Sequence, residues 1–187
     1  GRAWLVMEYI HGQPISAWCD QNLLGLRQRV ELLVKAGEGV QHAHQKGVIH
    51  RDLKPQNVLV QDTEAGALPR IIDFGIALGA AHGTATPMRP DQIAGTPAYM
   101  SPEQRQPGTD GIDARSDIFS VGTILYELLA GRRAFDGRTV DETLDRVMDA
   151  GPKPVEKIRP DTPPALAQIV RKAMSPNPAD RYQKASE

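Results

Sequence analysis

Apolar side chains recur at helical spacing in two long stretches of the chain. The first covers residues 26–45 and the second covers residues 117–130, where almost every side of the predicted helix is apolar. A helix of the second kind is typically buried on most of its faces. Gly47 is placed to end the first helix. The face of the first helix is formed by Val30, Leu33, Val34, Gly37, Val40, Gln41 and His44, widened by Leu32 and Ala36.

Shorter apolar runs predict a few strands and three further helices. Residues 4–10 are rich in β-branched and aromatic side chains and predict a strand, which residues 11–14 interrupt. The other short strands are predicted at residues 48–49, 58–60 and 70–72. The further helices are predicted at residues 15–24, 141–150 and 164–175. The pattern therefore predicts a mainly helical chain with short strands.

The overall composition is that of an ordinary globular domain. The 187 residues are 40% hydrophobic and 24% charged, with a formal net charge of −1, and this length suits one domain. A nucleic-acid partner is not expected, because nucleic-acid-binding domains are markedly basic. The single cysteine, Cys19, cannot form an internal disulfide, and no uncharged apolar run approaches the ~20 residues of a membrane span. We expect a cytoplasmic location without a membrane segment in this chain; an anchor elsewhere in a longer protein stays open.

Two short motifs carry the side chains that phosphoryl transfer requires. Residues 50–57 read HRDLKPQN, and residues 73–75 read DFG. Transfer to a hydroxyl needs a carboxylate beside the nucleophile, a cation beside the moving phosphate, and hard oxygen ligands for magnesium. The candidate side chains for these roles are Asp52, Lys54, Asn57 and Asp73.

In this order, the two motifs resemble those of the protein kinase family, and more closely those of bacterial Ser/Thr protein kinases of eukaryotic type. The resemblance covers nearly the whole chain, from the region of residue 4 to that of Arg181. It implies an α+β fold, mainly helical, with short strands around the catalytic loop and a hinge strand. It also implies ATP as the phosphoryl donor, Mg²⁺ or Mn²⁺ as the cofactor, and proteins with Ser or Thr acceptors as substrates.

The motifs that precede the catalytic loop in this family do not occur in the sequence. There is no G-x-G-x-x-G loop and no V-A-I-K lysine ahead of residue 50. We therefore expect a partial kinase domain, with the hinge strand and linker at residues 1–12, the C-terminal lobe at residues 13–187 and the activation segment at residues 73–103. The N-terminal lobe is expected to be missing, so that this chain alone would be inactive.

The resemblance assigns roles in catalysis and nucleotide binding. Asp52 would be the catalytic base, and Lys54, whose position is typical of the Ser/Thr branch, would contact the transferring phosphate. Asn57 and Asp73 would be the magnesium ligands. The adenine site would be formed by the backbone of Glu8 and Ile10, the gatekeeper Met7 and the floor residue Leu59.

The histidines have both a structural and a metal-binding interpretation. In the family, a histidine at the place of His50 packs against the phenylalanine of the second motif, here Phe74, and Gly75 would let that side chain swing. Together with His42 and His44, His50 could instead suggest a metal cluster. Such a site needs three or four convergent ligands, and nothing else in the sequence supplies them. We therefore interpret His42 and His44 as ordinary residues of the long helix.

Several residues are implied to order the loop that follows the second motif. Arg51 would pair with a phosphorylated residue of the activation segment. Thr84 and Thr86 are both candidates, and the alternative that they are unmodified loop threonines stays open. Thr96 resembles the threonine that hydrogen-bonds the catalytic aspartate and lysine.

Three further residues are implied to hold the lobe together. Glu103 would pair with Arg181. Asp117 would accept backbone N–H groups of the catalytic loop, although an aspartate at a helix start is also a plain N-cap. Ser101 stands where the family has the alanine of A-P-E, and we expect this change between small residues to be without consequence.

Two other functions compete with an active protein kinase. The chain could be a pseudokinase-like docking or scaffold module, although all four candidate catalytic residues are present. It could also be a small-molecule phosphotransferase with the same loop, but residues 95–103 match the family's peptide-docking segment and favour protein substrates.

Overall fold

The fold is seen in a computed structural model that describes residues 7–74, 97–105 and 112–187. The helices are α1 (Ile15–Gln21), α2 (Leu26–Gln45), α3 (Ala114–Ala130), α4 (Val140–Asp145) and α5 (Pro164–Ala173). The strands are β1 (Gln13–Pro14), β2 (Val58–Thr63) and β3 (Gly66–Ile71). A π-helical turn, Arg146–Ala150, continues α4. All five predicted helices are confirmed, and the described part is mainly helical with one small sheet.

Helix α2 shows how the apolar pattern selects the buried face. Its buried residues are Leu32, Leu33, Ala36 and Val40. Val34, predicted on this face, is 58% exposed. The prediction was wrong because a step of about 100° per residue takes position 34 away from the stripe that positions 32, 36 and 40 share. Gly47 adopts φ of +73° directly after the helix and ends it, as predicted.

Helix α3 is the buried centre of the fold. It begins after Asp113, whose side chain accepts the backbone N–H of Arg115 at 2.8 Å, and it ends at Gly131 with φ of 68°. The helix packs against α2 and α5. A Cβ atom on Gly122 would lie 2.8 Å from the Cβ of Ala173, so a glycine is required for the close approach of α3 and α5.

The three strands form one antiparallel sheet in the order β1-β2-β3. Strands β2 and β3 form a hairpin in which Val58 lies opposite Ile71 and Thr63 opposite Gly66. The pairing continues beyond the strands, since the backbone N–H of Ile72 donates to the carbonyl of Asn57 at 2.9 Å. The hairpin therefore joins the end of the first motif to the start of the second.

The strand predictions were wrong at residues 7–10 and at residues 48–49. Residues 7–10 form no strand, and residues 4–6 lie outside the described ranges. Residues 48–49 are also not a strand, because the backbone N–H of Val48 bonds back to the carbonyl of Ala43 at the end of α2. Periodicity identifies a segment that can be a strand, but a strand also needs a hydrogen-bonding neighbour. Residues 13–14, predicted as an interruption, have one in β2.

None of the helices in the described part of the chain has both the length and the apolar character needed to cross a membrane.

Candidate active site

The loop at residues 50–57 brings two predicted side chains, those of Lys54 and Asn57, to the carboxylate of a third, Asp52. The ammonium of Lys54 lies 2.7 Å from Oδ2 of Asp52. The amide nitrogen of Asn57 donates to the Asp52 carbonyl at 2.8 Å and to Oδ2 at 3.2 Å. A single 3₁₀ turn, Pro55–Asn57, brings Asn57 back to Asp52, and its first proline favours the extended backbone of Lys54. The Asp52 side chain is 37% exposed, so a substrate hydroxyl can reach it.

Asp117 holds the backbone that presents Asp52. Its carboxylate accepts the backbone N–H of His50 at 2.8 Å and that of Arg51 at 2.8 Å. The side chain is only 1% exposed, so these bonds form in a poorly hydrated environment. The expected contact with the catalytic loop is therefore present. The alternative reading as an N-cap was wrong, because Asp113 caps α3 and Asp117 lies in its first turn.

His44 completes this cluster and was missed from the sequence. Its Nε2 lies 2.7 Å from Oδ2 of Asp117, and its side chain is 7% exposed. The two residues are 73 positions apart, so no local pattern joins them. A signal was available, because His44 lies on the apolar face of α2, where a polar residue needs a buried partner.

His50 has the structural contacts that the resemblance implies. Its ring lies 4.8 Å from the ring of Phe74, centroid to centroid, and its Nε2 lies 2.9 Å from the carbonyl of Ile72. The backbone N–H of Asp52 faces Nδ1 of the same ring at 3.3 Å. A proton on Nε2 satisfies both contacts, since Nε2 then donates to the carbonyl and Nδ1 accepts. His50 thus connects the two motifs.

Two residues of the site adopt left-handed backbone conformations. Arg51 has φ of 68° and Asp73 has φ of 57°. For residues with a Cβ atom this region typically costs about 1–2 kcal/mol. Asp117 holds Arg51 from one side, and the Ile72 N–H bond to Asn57 precedes Asp73 directly. The carboxylate of Asp73 is exposed beside the end of the hairpin.

Glu103 and Arg181 form the expected ion pair. The guanidinium donates to both carboxylate oxygens of Glu103, at 2.7 and 2.8 Å, and the hydroxyl of Ser116 donates to the first of them at 2.7 Å. Burial by itself raises the pKa of Glu103, but the hydrogen bonds from Arg181 and Ser116 outweigh it and lower that pKa below its ordinary value.

The segment at residues 97–105 is attached to α3 by a second buried contact. The hydroxyl of Tyr99 donates to the carboxylate of Glu127, and Ser120 donates to the Tyr99 carbonyl at 2.8 Å. Burial and the neighbouring carboxylate raise the pKa of Tyr99, and burial raises the pKa of Glu127. The sequence alone did not indicate this contact, because Glu127 belongs to none of the motifs considered and lies 28 positions from Tyr99.

The structure describes only some of the other predicted residues. Glu8 is exposed and Ile10 is partly buried. Leu59 lies in β2 opposite Pro14, so it adjoins the segment that follows Ile10. Met7, the proposed gatekeeper, is 57% exposed. The predictions for Gly75, Thr84, Thr86 and Thr96 lie outside the described residues.

Replacing Asp117 with asparagine should lower the stability of the fold. An amide offers one oxygen, so one of the two backbone N–H groups would face an NH₂ group instead of an acceptor. A buried donor without an acceptor costs about 1–3 kcal/mol. The melting temperature should fall in Asp117→Asn, whereas the exposed control Asp136→Asn should leave it unchanged. Unchanged unfolding in Asp117→Asn would contradict the role given to this carboxylate.

The sequence is similar to known proteins over nearly its whole length. The sequence model of the protein kinase domain matches residues 1–186. Serine/threonine-protein kinase Pkn1 of Myxococcus xanthus is 36% identical over 183 residues, which are 97% of this chain and 26% of the relative. Serine/threonine-protein kinase PknB of Mycolicibacterium smegmatis is 34% identical over 185 residues, 98% of this chain and 29% of the relative. The chain therefore spans less than a third of the length of these relatives.

Proposed function

Because this chain belongs to the protein kinase family, and its relatives are serine/threonine-protein kinases, we propose that the protein containing it transfers the γ-phosphoryl group of ATP to Ser and Thr hydroxyls of proteins. The observation that carries the proposal is the pair of contacts at Asp52. Lys54 and Asn57 both donate to this carboxylate, as a base, a phosphate-binding cation and a metal ligand must converge for the reaction.

Asp52 acts as the general base. Within the described residues both side-chain donors reach Oδ2, which leaves Oδ1 to accept the proton of the substrate hydroxyl. As the proton moves to Oδ1, the hydroxyl oxygen bonds to the γ-phosphorus. The bond from that phosphorus to the bridging oxygen breaks, and its electron pair leaves on ADP. General-base assistance of this kind is worth about 10²–10⁴ in rate.

Lys54 stabilises the phosphate during this step. Its side chain is 20% exposed and is held against Asp52, so the ammonium already lies beside the base before a nucleotide arrives. A positioned cation next to the developing charge lowers the barrier because it needs little rearrangement at the moment of reaction. The same ammonium also offsets the charge of the Asp52 carboxylate when phosphate approaches.

Asn57 and Asp73 fit the needs of Mg²⁺. The amide nitrogen of Asn57 is bound to Asp52, which orients its carbonyl oxygen, and the Asp73 carboxylate is exposed one residue beyond the Ile72 bond to Asn57. One amide oxygen and one carboxylate form a donor set that Mg²⁺ accepts, with water and phosphate as the other ligands. When bound, the metal would neutralise phosphate charge; Mn²⁺ takes the same kind of ligands.

The finer assignments belong to the same proposal. Residues 13–187 would form the lobe that carries the catalytic loop, with the activation segment at residues 73–103, and a cytoplasmic location is proposed with it. The adenine contacts would come from Glu8, Ile10 and Leu59. The regulatory contacts would involve Arg51, Thr84, Thr86 and Thr96.

Phosphorylation by the full-length protein tests the function. With ATP, Mg²⁺ and a mixture of peptides, we expect phosphoserine and phosphothreonine, no phosphotyrosine, and complete loss of transfer when a chelator removes the metal. Asp73→Asn should raise the Mg²⁺ concentration for half-maximal rate, because an amide binds the cation more weakly than a carboxylate. The exposed Asp180→Asn serves as the control and should not change the metal requirement.

The outcomes separate the proposed function from its rivals. Transfer to a small molecule alone would favour a small-molecule phosphotransferase. Specific peptide binding without any transfer would favour a docking module. Transfer that persists fully after chelation would contradict the roles given to Asn57 and Asp73.

A further inference from the structure

Gln104 connects the segment at residues 97–105 to the catalytic loop. It lies in the 3₁₀ turn Pro102–Arg105, and its Nε2 donates to the backbone carbonyl of Arg51 at 2.6 Å. Its Oε1 accepts two bonds from Ser101, one from the backbone N–H at 2.9 Å and one from the hydroxyl at 3.0 Å. Both ends of the amide are therefore used, which fixes its orientation.

The carbonyl that Gln104 binds belongs to the peptide group joining Arg51 to Asp52. The N–H of this same peptide group faces Nδ1 of His50 at 3.3 Å. Gln104 and His50 thus hold the peptide from its two sides. Rotation of this peptide would turn the Asp52 backbone, and with it the direction in which the carboxylate points.

The conformation of Arg51 explains why such a restraint is needed. Its φ of 68° is unfavourable for a residue with a Cβ atom. Asp117 binds the N–H on one side of Arg51 at 2.8 Å, and Gln104 binds the carbonyl on the other side. Without the Gln104 bond, only the longer 3.3 Å contact with His50 would restrain the peptide between Arg51 and Asp52, which could relax toward a less strained arrangement.

The neighbouring glutamate has a different task. Glu103 points toward Arg181 and Ser116, while Gln104 points toward the catalytic loop. The 3₁₀ turn Pro102–Arg105 therefore provides two contacts. Glu103 forms the ion pair with Arg181, and Gln104 binds the backbone carbonyl that precedes Asp52.

We propose that Gln104 is a positioning residue for the catalytic base, acting on Asp52 through the Arg51–Asp52 peptide, and that Ser101 orients the Gln104 amide. This proposal rests on the base role given to Asp52. It also differs from the expectation that Ser101 is an inconsequential replacement for alanine: Ser101 is 1% exposed, and its hydroxyl is bonded to Gln104.

Steady-state kinetics of the full-length protein with Gln104→Glu and Gln104→Met test the proposal. Glutamate keeps the shape and the acceptor for Ser101 but cannot donate to the Arg51 carbonyl when ionised. Because misplacement of a reacting group by about 1 Å can cost 10²-fold in rate, we expect kcat to fall about tenfold to a hundredfold. The KM values for ATP and peptide should stay within about twofold, since ground-state binding is not altered.

Further variants separate positioning from a merely structural role. In an Asp52→Asn background, Gln104→Glu should cause no additional loss, because it acts through the carboxylate that is already absent. Ser101→Ala should lower kcat less than threefold, since the backbone bond to Gln104 remains, and should add nothing to Gln104→Met. The exposed Gln168→Glu is the matched control and should behave like the unaltered protein.

An unchanged kcat in Gln104→Glu, with or without a lower melting temperature, would overturn the proposal. An equal loss in the presence and absence of the Asp52 carboxylate would do the same. If the unaltered protein transfers no phosphoryl group to Ser or Thr, the proposed function fails. If Asp52→Asn leaves the rate of transfer unchanged, the base role fails; if Asp52→Asn abolishes transfer and the Gln104 variants do not lower it, only the positioning role fails.

Discussion

Replacing Asp52 with asparagine should lower kcat for peptide phosphorylation about 10²–10⁴-fold without unfolding the protein. Asparagine has the same shape and can still accept hydrogen bonds, but it cannot take the proton of the substrate hydroxyl. Lys54 donates to a side-chain oxygen of Asp52, and Asn57 donates to its backbone carbonyl. Asparagine keeps a side-chain oxygen and the same backbone carbonyl, so most of the loop geometry should persist. The measurement is steady-state phosphoryl transfer by the full-length protein, with circular dichroism and thermal unfolding alongside.

Asp62→Asn provides the matched control for this change. Asp62 is exposed in β2, close in sequence to the catalytic loop, and undergoes the same chemical replacement. We expect its rate to be unchanged. A folded Asp52→Asn protein with the rate of the unaltered protein would refute the base role.

Replacing Arg181 with methionine should lower the free energy of unfolding by about 3–5 kcal/mol. The side chain is fully buried, and removal of one partner of a buried ion pair leaves the other charge without compensation. All five N–H donors of this guanidinium are used within the described structure. The acceptors are the two oxygens of Glu103 and the backbone carbonyls of Arg115, Ser175 and Pro176.

Arg171→Met is the matched control for this replacement. Arg171 also pairs with a glutamate, Glu156, but the two side chains are 65% and 38% exposed. Exposed pairs contribute about 0–1 kcal/mol, so urea unfolding should hardly change. Equal effects of Arg181→Met and Arg171→Met would contradict the structural importance of the buried pair.

The pair also makes stability depend on pH. The pKa of Glu103 in the folded state lies below its ordinary value in the unfolded chain, because Arg181 and Ser116 hydrogen-bond to the carboxylate. The folded state therefore binds the proton less readily, and the stabilising contribution is fully present above that value and declines as the pH falls through the folded pKa. Glu103→Gln should be less stable at neutral pH and should lose less stability on acidification, which urea unfolding at a series of pH values would reveal.

The residues of the candidate site could be predicted from the sequence more fully than the residues that hold them in place. Asp52, Lys54 and Asn57 lie within six positions of one another, so one short loop and one turn bring them together. The pair of Glu103 and Arg181 is far apart in the chain, and only the resemblance indicated it.

The helices also follow from the sequence, because the apolar repeat of α2 and the uniformly apolar α3 each state which surface must be buried. The same reasoning failed at residues 7–10 and 48–49, where the run of apolar residues has no strand beside it within the described ranges. The pairing partner of a strand is a property of the folded chain and leaves no local trace.

What the sequence alone determined is where the helices form and which side chains are candidates for the chemistry, because both depend on neighbours within a few positions. Tertiary structure alone decided what holds the catalytic loop in place. His44 meets Asp117, and Gln104 meets Arg51, across 73 and 53 positions. Such contacts depend on how helices and turns pack in space, and the periodicity of a single segment does not identify the partner.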